Sequence, residues 1–370
     1  MNLKRTSKFL ASFFGLLFVF TIALASEPTN EALHQALEKI RLERGATAAV
    51  LTIWQEDHPT LTLTEGYVSK RARRPVEASS LFQVGSITKS FMAVLFLELQ
   101  ADGQLRLDDS MTQYLPEYPK WNHVTLRELL NHTSGIYNYT TSLDFMKQVH
   151  QHPNRQYTDA QIVAMAYEKP LQFPSGKGWG YSNTNYLLAG MILQKVTNRS
   201  VAELLDNNII NPLSLNDTYY FPTRMPRSIA QQMVMGYTAD DQALRNPNLS
   251  WMGSAGALIS NSVNLVTWIK AIFYQEIITP VELKEMTNLV STKTGLPLTN
   301  LKESGYGLGL KYRYDSTLGP IWFHPGGTAG FTAIVLWLPQ KKLAIAMTIN
   351  RDVNRVLIAN HLADPILALF

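Results

Sequence analysis

Gly85-Ser86-Ile87-Thr88-Lys89-Ser90-Phe91 opens a run that continues through Met92, Ala93, Val94, Leu95, Phe96 and Leu97 to Leu99 and stops at Asp102-Gly103. The run is apolar around most of its circumference, so it predicts a helix over 86–99 that is central and buried rather than laid on a surface. A serine and a lysine in the first turn of such a helix need a reason. A lysine ammonium is costly to bury, and the serine alone could be no more than a cap.

The segments on either side build a sheet around that helix. A helix is expected over 31–44, then alternating β-branched runs over 47–54 and 60–69, joined by a polar turn holding Pro59, which read as a hairpin. From about 105 to 252 the pattern is helical and loop-rich, with helices expected over 124–131, 158–167, 185–196 and 201–208. Strands return over 306–314, 321–324, 331–338 and 343–350, the last two joined by Pro339-Gln340-Lys341-Lys342, and a closing helix is expected over 353–369. The expected fold class is therefore α+β: an antiparallel sheet built from both termini, flanked by helices, with a mainly helical domain inserted. The boundaries expected are 26–105 with 253–370 for the sheet domain and 106–252 for the helical one.

Composition narrows the setting. Residues 1–25 hold Lys4, Arg5 and Lys8, an apolar run over 9–24, and the small-residue site Ala23-Leu24-Ala25, the pattern of a secretory signal cleaved near Ala25. An uncleaved anchor is the rival, since the run is near the short end for a span. Removing those three cations takes the net charge from +4 to +1, which leaves no basis for nucleic-acid binding. Lys70-Arg71-Ala72-Arg73-Arg74 reads as a solvated turn. The absence of cysteine excludes disulfides, a lipid-modified N-terminal cysteine and thiol catalysis. A soluble periplasmic or secreted protein, with no stable membrane insertion after cleavage, fits these features.

Ser86 and Lys89 are one helical turn apart, so their side chains share a face. A serine hydroxyl is a poor nucleophile until a base takes its proton, and a desolvated lysine can be driven toward the neutral amine that does so. As a bare pattern Ser-x-x-Lys is weak, expected about once by chance in a chain of this length. A second cluster is Tyr181-Ser182-Asn183, after the glycine-rich loop 174–180. There Tyr181 could offer a phenol for proton transfer, and Asn183 an amide to hold Lys89 and a substrate carbonyl. A packed tyrosine and a helix cap by Asn183 is the plainer alternative. The third is Trp322-Phe323-His324-Pro325-Gly326-Gly327, where a strand runs into glycines that leave NH groups open to an oxyanion. A lone histidine there is by itself more often structural.

Ser-x-x-Lys, Tyr-x-Asn and His-x-Gly in this order resemble the serine β-lactamase and D,D-peptidase superfamily, in the branch of class C β-lactamases, D-alanyl-D-alanine carboxypeptidases and related esterases. The resemblance extends to Leu107-Asp108-Asp109, Leu115-Pro116-Glu117, Leu129-Leu130-Asn131-His132-Thr133-Ser134-Gly135, Asn211-Pro212-Leu213 and Gly305-Tyr306-Gly307-Leu308-Gly309, and covers about 32–350. It implies a β-lactamase/transpeptidase-like fold and a periplasmic serine hydrolase with an acyl-enzyme on Ser86. Lys89 and Tyr181 would share the proton transfers, with the choice of base left open. Asn183, His324 and Gly326 would bind substrate, His324 standing where relatives carry the lysine of Lys-Thr-Gly. The amides of Ser86 and Gly327 would form the oxyanion hole. The implied substrates are D-alanyl peptides, β-lactams or small esters, with no cofactor and no metal; an esterase or a penicillin-binding sensor that acylates and stalls are the alternatives.

Pro325 departs from the family pattern, which usually places there a threonine whose hydroxyl helps hold a substrate carboxylate; proline removes both that hydroxyl and an NH. Lys293-Thr294-Gly295 spells the related triplet but sits among loop residues and is assigned to the surface. His150-Gln151-His152 lacks further ligands at metal spacing and reads as polar loop. His132, inside a family motif, reads as structural.

Overall fold

The computed structural model describes residues 28–245, 248–353 and 362–370. The expected signal segment lies outside the described residues, as do residues 354–361 of the expected closing helix; in the described remainder only Asp364–Leu367 is helical. Among the described residues no helix is long and apolar enough to cross a membrane.

The buried helix begins later than its apolar pattern suggests. Gly85–Ile87 form a 3-10 turn and the α-helix proper, α2, is Thr88–Ala101, after α1 at Asn30–Glu43. Gly85 has φ +51°, which turns the chain sharply into the helix. The Thr88 hydroxyl donates to the Gly85 carbonyl at 2.7 Å and stitches the two pieces together. Ser86 therefore stands in the turn ahead of the α-helix and Lys89 inside it. Every residue from Thr88 to Leu97 is buried. The helix is held partly by Phe91, stacked on Trp268 with ring centroids 3.8 Å apart, while the Trp268 indole NH donates to Ser90 at 2.8 Å.

Among the described residues the main sheet has eight antiparallel strands, β1 (Ala48–Gln55), β2 (Leu61–Gly66), β3 (Val290–Ser291), β4 (Gly305–Tyr306), β5 (Lys311–Asp315), β6 (Gly319–Thr328), β7 (Phe331–Leu338) and β8 (Leu343–Ile349), in the order β2-β1-β8-β7-β6-β5-β4-β3. The two termini meet at the β1–β8 ladder, where Ala49 faces Ile349 and Gln55 faces Leu343. This is the expected α+β architecture. Period-two alternation explains how strands with almost no polar positions fit: Ala333, Val335, Trp337, Ala344 and Ala346 join one core, Ile334, Leu336, Ile345 and Met347 the other. The first core is shared with α2 and α4 (Ser262–Phe273), and the second is covered by α1 and Asp364–Leu367. Both faces are dry, so both alternating sets are apolar.

The stretch read as one strand over 306–314 is two. Gly305–Tyr306 and Lys311–Asp315 form a hairpin, closed by the Gly307 amide on the Leu310 carbonyl at 2.8 Å. Gly309 makes that turn at φ +70°, where a β-carbon would stand 2.5 Å from the carbonyl oxygen of Lys89 and have no room. Between α2 and α4 the chain supplies mostly helices, among them Leu126–Leu130, Asp159–Tyr167 and α3 (Asn183–Thr197). Capping boxes at Thr125 with Glu128 and Thr158 with Gln161 start the first two.

Candidate active site

Four elements converge on one amine. Lys89 is fully buried, and its Nζ lies 3.1 Å from Ser86 Oγ, 2.8 Å from Asn183 Oδ1 and 2.6 Å from the Ala255 carbonyl oxygen. An ammonium would donate to all three. A neutral amine has two N–H bonds and one lone pair, and two of its neighbours, the amide and peptide oxygens, can only accept. Both N–H bonds are thereby committed to Asn183 and Ala255, and the lone pair is left for the Ser86 hydroxyl proton. Burial drives the Lys89 amine well below its ordinary value, and the nearby Lys311 cation pushes it further in the same direction.

Asn183 is the first residue of α3, and its side chain does not cap that helix. Its Nδ2 donates to Thr140 Oγ1 at 3.1 Å, its backbone NH donates to Asn138 Oδ1 at 3.0 Å, and its Oδ1 faces Lys89. Among the described residues the second Nδ2 proton meets no acceptor. The ring of Tyr181 lies beside both lysines, with Lys89 Nζ 5.0 Å and Lys311 Nζ 6.0 Å from its centroid.

The third wall is β6. Gly326 is buried against the backbone of Val84, while Pro325 and Gly327 are partly exposed. Gly327 pairs with Thr332 across the sheet, and its amide nitrogen lies close against Gly85, so the backbones that carry Ser86 and Gly327 are in contact. Their two NH groups are the pair the sequence nominates for an oxyanion.

His324 is buried and has both ring nitrogens engaged: Nδ1 is 2.7 Å from the Pro325 carbonyl and Nε2 is 3.0 Å from the Tyr306 hydroxyl. A carbonyl only accepts, so Nδ1 carries the proton and Nε2 receives the Tyr306 O–H. Burial, then Lys89 and Lys311, hold this imidazole well below its ordinary value and therefore neutral. It cannot supply the positive charge of the lysine it replaces in the sequence pattern.

The site holds a second lysine that the sequence reading passed over, Lys311, whose amine burial lowers from its ordinary value. Lys311 opens β5, paired with Tyr306 on one side and Phe323 on the other, and is partly buried beside Tyr181. Reading 306–314 as one strand hid the hairpin that brings it there. Lys293, in the surface triplet, is exposed and pairs with Glu303 at 3.7 Å. His150 turns its Nδ1 to the Met146 carbonyl at 2.6 Å, and no group of three or more metal-binding side chains gathers among the described residues.

The profile of the Beta-lactamase family matches residues 31–367. Penicillin-binding protein 4* of Bacillus subtilis is 27% identical over 298 residues, which cover 76% of this chain and 64% of that protein. The chain thus spans less than two thirds of that relative's length. Among solved structures, a D-stereospecific amidohydrolase from Streptomyces sp. superposes with a TM-score of 0.79 at 32% identity, covering 93% of this chain and 99% of that one. The D-amino acid amidase of Ochrobactrum anthropi SV3 superposes with a TM-score of 0.78 at 26% identity, covering 92% and 96%.

Proposed function

The chain belongs to the Beta-lactamase family and is a serine hydrolase, and from that premise we propose that it hydrolyses amides and short peptides of D-amino acids through an acyl-enzyme on Ser86. The observation that carries this reading is the buried Lys89 amine, with two oxygens taking its N–H bonds and Ser86 Oγ at 3.1 Å. Lys89 takes the Ser86 proton as Oγ attacks the substrate carbonyl carbon. The oxyanion that forms is held by the amides of Ser86 and Gly327, and the free proton of Asn183 Nδ2 holds the acyl part of the substrate. As the C–N bond breaks, the proton passes through Lys89 and Tyr181 to the leaving nitrogen. Water then attacks the ester by the reverse route and releases the acid.

The D-configuration is supported by the amidohydrolase and amidase resemblances, both of which cover nearly the whole chain. Lys311 adds a site for a carboxylate on the leaving group, as a D-alanyl-D-alanine peptide or an opened β-lactam would present, in place of the missing hydroxyl at Pro325. Export is part of the proposal: the mature protein would begin at Ser26 and work in the periplasm, which intact-mass analysis of the secreted protein would show.

The test is a panel of D- and L-amino acid amides, a D-alanyl-D-alanine peptide, a fluorescent penicillin and p-nitrophenyl acetate, run on the wild type and on Ser86→Ala. The expected result is a preference for D over L of at least about tenfold, and no turnover or covalent adduct with Ser86→Ala. Turnover of the acetate ester with no stereochemical preference would replace this reading with that of a plain esterase. A penicillin adduct that persists for hours without turnover of any amide would mark a sensor.

A further inference from the structure

His132 has an unusual position for a side chain described only as packing. Its backbone is left-handed at φ +66°, and its ring is completely buried beneath the Tyr181 ring, with centroids 4.3 Å apart. Around it stand Trp179, Tyr186 and Tyr306, and the charged or titratable groups facing it are Lys89, His324 and Lys311.

The hydrogen bonds fix its chemical form. The backbone NH of Ser182 points at His132 Nδ1 at 3.3 Å, and Asn185 Nδ2 approaches the same atom at 3.3 Å. A backbone NH can only donate, so Nδ1 is the bare acceptor and Nε2 carries the proton. Asn185 is held in that orientation by Ser134, whose hydroxyl donates to Asn185 Oδ1 at 2.8 Å and leaves the NH2 facing the imidazole. Among the described residues Nε2 finds no acceptor, and it lies buried among the aromatic rings. The His132 carbonyl meanwhile takes the Gly180 NH at 3.0 Å. One residue thus grips the chain on both sides of Tyr181, at Gly180 and at Ser182, and Ser182 is the residue between Tyr181 and Asn183.

We propose that His132 is the positioning residue of the Tyr181-Ser182-Asn183 turn: its neutral Nε2–H imidazole accepts from the Ser182 amide, supports the Tyr181 ring, and so sets where the phenol and the Asn183 amide stand relative to Lys89. This rests on the reading of Ser86, Lys89 and Tyr181 as reacting groups. Protonation of Nδ1 would set a donor against the Ser182 NH and release the turn. The left-handed backbone follows from the same demand, because it lets ring and carbonyl reach the same loop. Asparagine is the substitution that meets both requirements, since it tolerates left-handed backbone and places an oxygen near the position of Nδ1. Phenylalanine keeps a ring under Tyr181 and removes the acceptor.

The experiment compares His132→Asn and His132→Phe, with rates normalised to the number of sites that a fluorophosphonate titrates. His132→Phe is expected to lose about 10- to 100-fold in kcat with KM within about threefold, and both limbs of the pH profile in place, because the groups are displaced and not removed. His132→Asn is expected to recover kcat to within about fivefold of wild type. Wild-type kcat in His132→Phe, or equal losses in the two variants, would overturn the proposal. A second measurement needs no activity: 15N NMR of the imidazoles in wild type and in Ser86→Ala, between about pH 5 and 8. A neutral Nε2–H tautomer for His132 throughout is expected in both proteins. The Nδ1–H tautomer, or an imidazolium, would refute the grip on Ser182 even if the assignment of Ser86 stood. Failure of the Ser86 reading would instead show as labelling of Ser86→Ala with the tautomer unchanged.

Discussion

A β-carbon on Gly85 would stand 2.6 Å from the amide nitrogen of Gly327. The turn that presents Ser86 and the strand that presents Gly327 are in contact through that missing side chain, so the spacing of the two proposed oxyanion donors depends on it. Gly85 also needs φ +51°, which other residues adopt at a cost of about 1 kcal/mol or more. Gly85→Ala is expected to part the two amides and lower kcat by about 10²-fold or more, the scale of losing one oxyanion donor. Circular dichroism and denaturation would confirm that the variant folds, and acylation rates would be read on the folded protein. An alanine variant that acylates at the wild-type rate would show that the oxyanion is held elsewhere.

The closeness of two lysines makes a prediction about pH. The proposed active form has Lys89 neutral, so the acidic limb of kcat/KM reports its protonation. Burial is the larger cause of its lowered value, and the Lys311 cation is the second. Removing that cation makes protonation of Lys89 easier and raises its value. Lys311→Gln should therefore move the acidic limb to higher pH, read with p-nitrophenyl acetate so that loss of carboxylate binding does not enter. A limb that stays in place or moves to lower pH would separate Lys311 from Lys89.

Glu98 lies on the far part of α2, away from the reacting groups, and accepts from Asn208 Nδ2 at 3.0 Å. Burial raises its carboxyl to about 7, against the Asn208 bond that lowers it, and Glu282 and Asp102 push the same way as burial. A carboxyl raised in the folded state favours folding when protonated. Its contribution is fully present below about pH 4.5, is lost as pH rises through about 7, and is constant above that. Glu98→Gln keeps an acceptor for Asn208 and cannot ionise. It should be more stable than wild type at pH 8 by something on the order of 2 kcal/mol, and the difference should shrink toward pH 4.5. Urea denaturation at the two pH values measures it, and a difference that does not vary with pH would mean that Glu98 titrates alike in the folded and unfolded chain.

The sheet and the buried helix were legible because their signals are dense. Two dry faces leave β1, β7 and β8 with apolar residues at nearly every position, and α2 has ten consecutive buried residues from Thr88 to Leu97. Ser86, Lys89, Tyr181 and Asn183 could be named because each lies in a short motif beside the element that positions it. What the sequence hid depends on contacts between distant segments. Lys311 became visible only when Gly307–Leu310 was seen to reverse the chain, and the turn packs where a β-carbon on Gly309 would meet the Lys89 carbonyl, more than 200 residues away. The neutral state of His324 was equally hidden, since it follows from burial and from Lys89 and Lys311 nearby, while the Pro325 carbonyl and the Tyr306 hydroxyl fix its tautomer.

Pro325 is the position where the sequence leaves its family and where substrate choice can be tested directly. It is partly exposed on β6 beside Gly326, opposite Ile334 in the β6–β7 ladder. A threonine there would return a hydroxyl to β6, between His324 and Gly326, on the strand paired with the one that carries Lys311. If a substrate carboxylate reaches β6, the restored hydrogen bond to a charged group is worth roughly 1.5 to 3 kcal/mol. Pro325→Thr should then raise kcat/KM about 10- to 150-fold for a D-alanyl-D-alanine peptide or a penicillin, and leave p-nitrophenyl acetate nearly unchanged. The readout is the ratio between the two substrate types, because repacking of the strand would change both together. Lys311→Gln supplies the complementary arm: it should lower the same ratio, and in the double variant the gain from threonine should be smaller, since both groups would hold one carboxylate. A ratio unaltered by Pro325→Thr in a folded, active enzyme would mean that carboxylates are not bound at this strand. The preference would then have to come from the acyl side, where the proposed contact of Asn183 with the substrate carbonyl lies.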